Sequence, residues 1–137
     1  MLILITGGAG YIGSHICVEL INAGYDIIVV DNYSNSCPES LRRVMQITGK
    51  LFPIYEMDVR DKDMLSRVFK KHSIDGVIHL AGYKAVGESI NVPLRYYRNN
   101  IDSTLSLLET MLQHHVSNLI FSSSATVYSK DNEISIF

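Results

Sequence analysis

Thr6-Gly7-Gly8-Ala9-Gly10-Tyr11-Ile12-Gly13 is the stretch that decides the fold of this sequence. It contains the spacing G-x-G-x-x-G and also G-x-x-G-x-x-G, the latter through Gly7, Gly10 and Gly13. An apolar run precedes the stretch and predicts a strand, whereas the residues after it have the periodicity of a helix. In that context the glycines predict a dinucleotide-binding loop, in which a phosphate approaches the backbone at a helix N-terminus. A tight strand-to-helix turn without a ligand is the alternative.

The same alternation continues along the rest of the chain. Asp61 is predicted to cap a third helix with a buried stripe of Met64, Leu65, Val68 and Phe69. The pattern predicts strands over residues 2–6, 26–31, 52–57, 74–80 and 118–122, and further helices over residues 11–23, 38–48 and 93–114. This order favours an α/β fold with a Rossmann-type, doubly wound parallel sheet of strand order 3-2-1-4-5, truncated after strand five. We treat residues 1–137 as one incomplete NAD-binding domain, whose ligand crevice lies above strands one and four.

Asp31 ends the second predicted strand, 18 residues beyond Gly13. A carboxylate at this position accepts hydrogen bonds from the adenosine ribose and repels a 2′-phosphate, which favours NAD over NADP. The alternative is a turn residue before Asn32. Asp58-Val59 ends the third strand and is a candidate for flanking the adenine, although an Asp there is equally often a turn or cap residue. Leu80-Ala81-Gly82 ends the fourth strand, where small residues allow close approach to a cofactor.

Composition limits the class of protein. Of the 137 residues, 47% are hydrophobic and 19% are charged, with a formal net charge of -2. These values fit a soluble globular domain and argue against a nucleic-acid partner. No apolar run approaches the length of about 20 residues that spans a membrane, so we expect no membrane partner. Cys17 and Cys37 lack metal-ligand spacing, so we expect free thiols and no metal. The five apolar residues at the N-terminus are too few for a signal peptide, and we therefore expect a cytoplasmic location.

Several stretches resemble UDP-glucose 4-epimerases, in the order and spacing of that family. They span residues 1 to 128 and comprise Thr6 to His15, Asp31-Asn32 with Asn35-Ser36, His79-Leu80-Ala81-Gly82-Tyr83-Lys84-Ala85-Val86-Gly87-Glu88-Ser89, and Phe121-Ser122-Ser123-Ser124-Ala125-Thr126-Val127-Tyr128. The glycine stretch is shared with all extended short-chain dehydrogenase/reductases. The run from Lys84 to Ser89 is more specific to the 4-epimerase branch.

The resemblance implies an isomerase of galactose metabolism. Such enzymes use tightly held NAD to oxidise the C4 hydroxyl of UDP-galactose or UDP-glucose, and the 4-keto intermediate takes the hydride back on its other face. Ser124 would hydrogen-bond the reacting sugar oxygen, whereas Ser122-Ser123-Ser124 without the resemblance is more often a polar loop. The cofactor-binding positions implied by the family are Gly7, Gly10, Tyr11, Ile12, Gly13, Asp31, Asn32, Tyr33, Ser34, Asn35, Ser36, Asp58, Val59, Leu80, Ala81, Gly82, Tyr83, Lys84, Asn99 and Ser124.

Two residues each have two possible interpretations. Lys84 is a solvated lysine at a helix start by default and becomes a cation beside the cofactor if the resemblance holds. His79 lies within a strand and is interpreted as a packed core residue rather than an acid or base.

The family's general base is absent from this sequence. It is the tyrosine of Tyr-x-x-x-Lys, and none of the eight tyrosines has a lysine four positions later. The family also continues Val127-Tyr128 with glycine, where this chain has Ser129. A frameshift, a truncated gene or a divergent stub would explain both differences, and we expect no epimerase activity from the chain alone.

Three hypotheses therefore stay open. The leading one is the NAD half of a UDP-glucose 4-epimerase. The others are a fragment of another nucleotide-sugar epimerase or dehydratase, and a catalytically silent NAD-binding or interaction module. The helix predicted over residues 93–114 carries Tyr97, Ile101, Leu108 and Leu112 along one side. We expect its outer apolar side to be exposed and to favour a homodimer or self-association.

Overall fold

The computed structural model describes residues 1–124 of this chain. The strands are β1 Leu2–Thr6, β2 Asp26–Asp31, β3 Ile54–Glu56, β4 Gly76–His79 and β5 Leu119–Phe121. The helices are α1 Tyr11–Asn22, α2 Pro38–Thr48, α3 Lys62–Lys71, α4 Val86–Asn91 and α5 Pro93–Gln113.

The five strands form one parallel sheet in the order β3-β2-β1-β4-β5, which confirms the predicted order. Leu4 at the centre of β1 is in register with Ile28 of β2 on one side and with Val77 of β4 on the other. The winding reverses between β1 and β4, so the carboxyl ends of these strands leave a crevice between the connections that diverge from them.

Two hydrophobic clusters cover the two faces of the sheet. Leu4, Ile28 and Val77 point to one face, where they pack with buried side chains of α3 and α5. Ile5 and Val29 point to the other face, where they pack with α1 and α2. Because successive residues of a strand alternate between faces, the uninterrupted apolar runs of β1 and β2 are what a sheet covered by helices on both sides requires.

Some predicted bounds and one predicted stripe were wrong in detail. β3 is shorter than residues 52–57, since Pro53 has no N–H to donate to the neighbouring strand. β4, β5 and the ends of α1 and α5 differ from their predicted bounds by one or two residues. Met64 is 38% exposed and does not belong to the buried stripe of α3, which consists of Leu65, Val68 and Phe69.

The predicted helices did not include α4, although Lys84 was interpreted as a lysine at a helix start. This helix has six residues, includes Gly87 and buries none of its side chains, so it has no apolar stripe to reveal it. Glu88 fastens it to the start of α5 by an ion pair with Arg95 and by accepting a hydrogen bond of 2.6 Å from the hydroxyl of Tyr96. The run from Lys84 to Ser89 therefore forms part of a short helical connection that links β4 to α5.

Both cysteines are free thiols, as expected. Burial raises the pKa of Cys17 to about 12, which makes its thiol inert at neutral pH. In the part of the chain that the structure describes, no helix is long and apolar enough to cross a membrane. Residues 1–124 also contain no cluster of three or more His, Cys, Asp or Glu side chains that could hold a metal ion.

Candidate dinucleotide site

A cleft of about 320 Å³ opens where β2, β1 and β4 end. One wall is the glycine stretch with the segment that follows β2, and the other is the segment that follows β4 with the first half of α5. The lining residues are Gly7, Gly10, Tyr11, Ile12, Gly13, Val30, Asp31, Asn32, Ser34, Asn35, Met57, Asp58, Val59, Leu80, Ala81, Gly82, Tyr83, Lys84, Asn99, Ser103 and Ser122.

Two glycines of the loop are required by the fold itself. Gly7 has a left-handed backbone with φ of 73°, and a Cβ there would lie 2.7 Å from the amide nitrogen of Ala81. A Cβ on Gly13 would lie 2.3 Å from the carbonyl oxygen of Gly7. Both separations are shorter than any side chain tolerates, so these glycines let α1 approach the loop and let the loop approach β4.

Gly10 differs, because it is less crowded than Gly7 and Gly13. It has an ordinary extended backbone, and a Cβ on it would have one neighbour within 4 Å among the described residues, the carbonyl oxygen of Gly7 at 3.3 Å. Gly10 precedes the first turn of α1, which has neither a side-chain cap nor an acidic residue in the described structure. The cleft therefore meets a helix N-terminus whose amides and positive dipole end suit an anion.

Asp31 is buried at the end of β2, with 6% of its surface exposed. One carboxylate oxygen accepts a hydrogen bond of 2.9 Å from the amide of Ala9 in the glycine loop. The other accepts bonds from the amide of Tyr33 at 2.9 Å and from the hydroxyl of Ser36 at 2.8 Å. Because a carboxylate has about four acceptor positions, one remains for a ligand hydroxyl. The same side chain thus shapes the loop and can bind a ribose.

The far end of this wall is polar and charged. Asp58 accepts hydrogen bonds from the guanidinium of Arg60 at 2.7 and 2.9 Å and from the side-chain amide of Asn32 at 3.1 Å. The hydrogen bond from Arg60 is the largest cause that lowers the pKa of Asp58 to about 2. Asp58 is therefore an anion throughout the neutral range, and it links the ends of β2 and β3 at the rim.

The opposite wall is held by the side chain of Asn100 on α5. Its Oδ1 accepts a hydrogen bond of 2.8 Å from the amide of Tyr83, and its Nδ2 donates one of 3.0 Å to the carbonyl of Tyr83. The ring of Tyr83 packs against Tyr96 and lies 5.0 Å from the guanidinium carbon of Arg95. Lys84 follows and points its ammonium group toward the carbonyl of Ser122, at 3.4 Å.

His79 lies beneath this wall and is 1% exposed. Its Nδ1 is 2.6 Å from the hydroxyl of Thr6, and its Nε2 is 3.0 Å from the hydroxyl of Thr104. Burial lowers the pKa of His79 to about 4, and the charge of Lys84 adds to the decrease. The ring is thus neutral at pH 7, in agreement with its interpretation as a core residue.

The structure brings most of the predicted cofactor residues to one cleft. Tyr33, Ser36 and Ser124 do not line it. Tyr33 has a left-handed backbone and, like Ser36, donates to Asp31, so both hold the carboxylate in place. Ser124 is exposed next to the last described strand, and Ser122 lines the cleft instead. Ala125 to Tyr128 of the family-like run lie outside the described residues.

Sequence reasoning missed four residues of the lining. Val30 is the second-last residue of β2, and Met57 and Ser122 directly follow β3 and β5. The rule that ligands bind at the carboxyl ends of parallel strands could have found them. Ser103 lies one helical turn after Asn99 on α5, and that spacing of four was its only signal.

Comparison with known proteins agrees with this geometry. The sequence model of the NAD dependent epimerase/dehydratase family matches residues 3–136. UDP-glucose 4-epimerase of Bacillus subtilis is 56% identical over 128 residues, which cover 93% of this chain and 38% of that protein. The human UDP-glucose 4-epimerase is 56% identical over 132 residues, with 92% of this chain and 38% of the human protein covered.

Solved structures give the same result. A crystal structure of UDP-glucose 4-epimerase from Bifidobacterium longum in complex with NAD+ and UDP superposes with a TM-score of 0.92 at 57% identity. The match covers 93% of this chain and 38% of that one. The enzyme from Stenotrophomonas maltophila, with bound NAD and formylated UDP-arabinopyranose, superposes with a TM-score of 0.95 at 42% identity over 99% of this chain. The chain thus spans about two fifths of the length of these relatives.

Proposed function

Since this chain belongs to the NAD dependent epimerase/dehydratase family, we propose that it is the NAD-binding part of a UDP-glucose 4-epimerase. In that enzyme class, the bound cofactor accepts a hydride from the sugar C4 position and returns it, which interconverts UDP-galactose and UDP-glucose. The 4-epimerase assignment draws on 56% identity to curated 4-epimerases, which also makes it stronger than that of another nucleotide-sugar epimerase or dehydratase.

The space beside Gly10 is the observation that carries the proposal of NAD binding. A Cβ at Gly10 would crowd only the carbonyl oxygen of Gly7, at 3.3 Å, so the packing restricts this position less than it restricts Gly7 and Gly13. The pyrophosphate of a dinucleotide would use both the space beside Gly10 and the amides of Tyr11 and Ile12. The remaining acceptor position of Asp31 would take an adenosine ribose hydroxyl, and Asp58 and Val59 would flank the adenine. The segment from Leu80 to Lys84, with Asn99, would line the cofactor toward its nicotinamide half.

The first experiment is a calorimetric titration of the purified chain with NAD and, separately, with NADP. We expect saturable binding of one NAD per chain and weaker binding of NADP, because the carboxylate of Asp31 repels a 2′-phosphate. Tighter binding of NADP would overturn the specificity, and no binding of either dinucleotide would overturn the proposed function.

A glycine substitution with a matched control tests the phosphate position. Gly10→Ala should keep the fold, with a small shift at the carbonyl of Gly7, and weaken NAD binding by at least about tenfold, since the methyl group occupies the space for the pyrophosphate. Gly87→Ala is the control, because a Cβ at Gly87 has no atom of the described structure within 4 Å. Equal NAD affinity of the two variants would contradict a pyrophosphate at Gly10.

We further propose that the 137-residue chain does not turn over UDP-galactose by itself. It contains no Tyr-x-x-x-Lys, and the loss of a general base alone removes on the order of 10²–10⁴-fold of rate. Ser124 is proposed to bind the reacting sugar oxygen once a complete site surrounds it. An NAD-loaded sample that converts UDP-galactose to UDP-glucose at a steady rate, free of host epimerase, would refute this part.

A second copy of the chain is the partner we propose for α5. Six exposed apolar side chains lie on this helix at intervals of three and four residues, the spacing of a helix-pairing seam: Leu94, Tyr97, Ile101, Leu105, Leu108 and Leu112. Their exposure ranges from 37% at Leu108 to 76% at Leu112, so the seam is open along the whole helix. The cytoplasmic location stays a prediction from the sequence.

A further inference from the structure

We infer that His79, Thr104 and Asn100 are positioning residues, which form one neutral hydrogen-bonded network that fixes the cofactor-facing segment 80–83 from both of its ends. The inference rests on the proposed NAD site. His79 and Thr104 do not line the cleft, so any effect that they have on a ligand must pass through the segment.

The direction of each hydrogen bond follows from the first one. The hydroxyl of Thr104 donates to the main-chain carbonyl of Asn100 at 2.8 Å, because a carbonyl can only accept. Thr104 therefore has no hydrogen left for His79, and the Nε2 of His79 must be the donor across their 3.0 Å contact. The Nδ1 of the neutral ring is then an acceptor, and the hydroxyl of Thr6 donates to it at 2.6 Å. The oxygen of Thr6 accepts in turn from the amide of Ala81 at 3.4 Å.

The network reaches the segment at two points. Ala81 is held through Thr6 on β1, and Tyr83 is held through both hydrogen bonds of the Asn100 side chain on α5. Gly82 lies between them, and a Cβ on it would be 3.3 Å from the Oδ1 of Asn100. The position of the wall relative to the glycine loop is consequently set by residues 17 to 75 positions away in the sequence.

The network requires the imidazole of His79 to be neutral. An imidazolium at position 79 would present two donors, and Thr6 could no longer donate to its Nδ1. Thr6 would have to accept from the ring instead, and its own hydroxyl hydrogen would lose the acceptor that it has in the described structure. A network that fixes one tautomer also fixes the distance between β4 and α5, which is the property that a cofactor wall needs.

Thr104 and Thr110 provide a matched pair for the test. Both lie on α5 and donate to the carbonyl four residues earlier at 2.8 Å, but Thr104 also accepts from His79. We expect Thr104→Val to weaken NAD binding about fivefold, the effect of one ordinary hydrogen bond, and Thr110→Val to leave NAD affinity unchanged. Thr104→Ser keeps the hydroxyl and should restore the affinity, which a role in packing alone would not predict.

Asn100 and Asn118 provide a second pair. The side chain of Asn118 donates to the carbonyl of Asp75 at 2.9 Å, at the amino ends of β4 and β5 and away from the cleft. Asn118→Asp therefore removes the same kind of bond outside the site. Asn100→Asp should weaken NAD binding by a similar fivefold or more, because an oxygen replaces the amide that faces the carbonyl of Tyr83. Loss of affinity in both Asp variants, or in neither, would overturn the inference.

Nuclear magnetic resonance separates this inference from the proposed function. The nitrogen shifts of His79 at pH 7 should report a neutral ring protonated at Nε2, and a ring protonated at Nδ1 would overturn the network. If the unchanged chain binds no NAD, the proposed function fails while the network remains testable. In that case, the amide signals of Ala81 and Tyr83 should still move in Thr104→Val, and unchanged signals would refute the positioning role.

Discussion

The two walls of the cleft are built in different ways. The wall of the glycine loop is held by the charge of Asp31, which accepts from backbone and side-chain donors within 22 residues of itself. The wall of Tyr83 is held by neutral side chains on β1, β4 and α5, which are up to 75 residues apart in the sequence. A buried carboxylate with three donors makes strong, charge-assisted hydrogen bonds, whereas each hydrogen bond of the other wall joins neutral groups and is weaker.

The difference shows how a cofactor site can combine two requirements. The phosphates and ribose of a dinucleotide need fixed donors and acceptors, which a short glycine loop and one acid can supply. The reactive ring needs a wall that holds its distance from the substrate, and such a wall can be adjusted through neutral hydrogen bonds without a change of charge in the cleft.

Removal of the acid should have the largest effect. Asp31→Ala leaves the donors of Ala9, Tyr33 and Ser36 without their acceptor, and we expect the free energy of unfolding to fall by about 4 kcal/mol. Asn100→Ala removes two hydrogen bonds to Tyr83 at a half-buried position and should lower the free energy of unfolding by about 1–2 kcal/mol. Urea unfolding of both variants gives the comparison, and an equal loss would show that the two walls are equally strong.

Acid should weaken the second wall first. The pKa of His79 is lowered from 6.5 to about 4 in the folded chain, so the unfolded chain takes up a proton earlier as the pH falls. The contribution of the neutral ring is complete above pH 6.5 and is lost between pH 6.5 and 4, by about 3 kcal/mol in total. The pKa of Asp58 is lowered from 3.8 to about 2, so the stability that its charge contributes is lost only at more acidic pH, below 3.8.

Unfolding measured in urea from pH 7 to pH 4 checks this prediction. His79→Gln cannot be protonated and should lack this part of the pH dependence, although it starts from a lower stability. A wild-type profile that is flat across this range would contradict a neutral, buried His79.

The outer face of the second wall should control self-association. Leu112 is 76% exposed at the end of the seam on α5, and Leu112→Lys should shift the chain toward the monomer at the same concentration. Stability should change by no more than about 0.5 kcal/mol, since an exposed side chain loses little packing. Light scattering across a concentration series is the measurement, and Leu51→Lys, which alters an exposed residue outside α5, is the control.

The rim of the first wall should show the smallest effect. Arg60→Gln removes the main cause of the low pKa of Asp58, so that pKa should rise toward its ordinary value of 3.8. The pair is partly exposed to solvent, and stability at pH 7 should fall by less than about 1 kcal/mol. Carbon shifts of the Asp58 carboxyl group during an acid titration measure the change. An unaltered pKa would mean that the hydrogen bond from the side-chain amide of Asn32 is sufficient to keep the pKa of Asp58 low.

The sequence predicted the first wall well because its determinants are local. A glycine spacing, a strand on either side and an acid at a strand end all lie within residues 2–31. Strand order followed from the same alternation, since right-handed crossovers leave few arrangements of a parallel sheet.

The second wall was predicted as a set of positions but not as a structure. Asn100 and Thr104 carry no motif, and their partners Tyr83 and His79 are found only when β4 and α5 pack together. α4 was missed because six residues with one glycine and no buried side chain carry no periodic signal. Met64 was misplaced because a helical stripe defines a face only to within one residue at its margins.

The contact between Gly7 and Ala81 has a consequence for folding kinetics. Gly7 reaches its close approach to Ala81 only after β1 has paired with β4, whose contacting residues Thr6 and His79 lie 73 positions apart in the sequence. Pairing over such a separation is slow compared with the formation of the β1-α1-β2 unit. NAD that binds across both walls, as proposed, would meet the complete site only after this pairing, and we expect it to slow unfolding of the chain while leaving its folding rate unchanged.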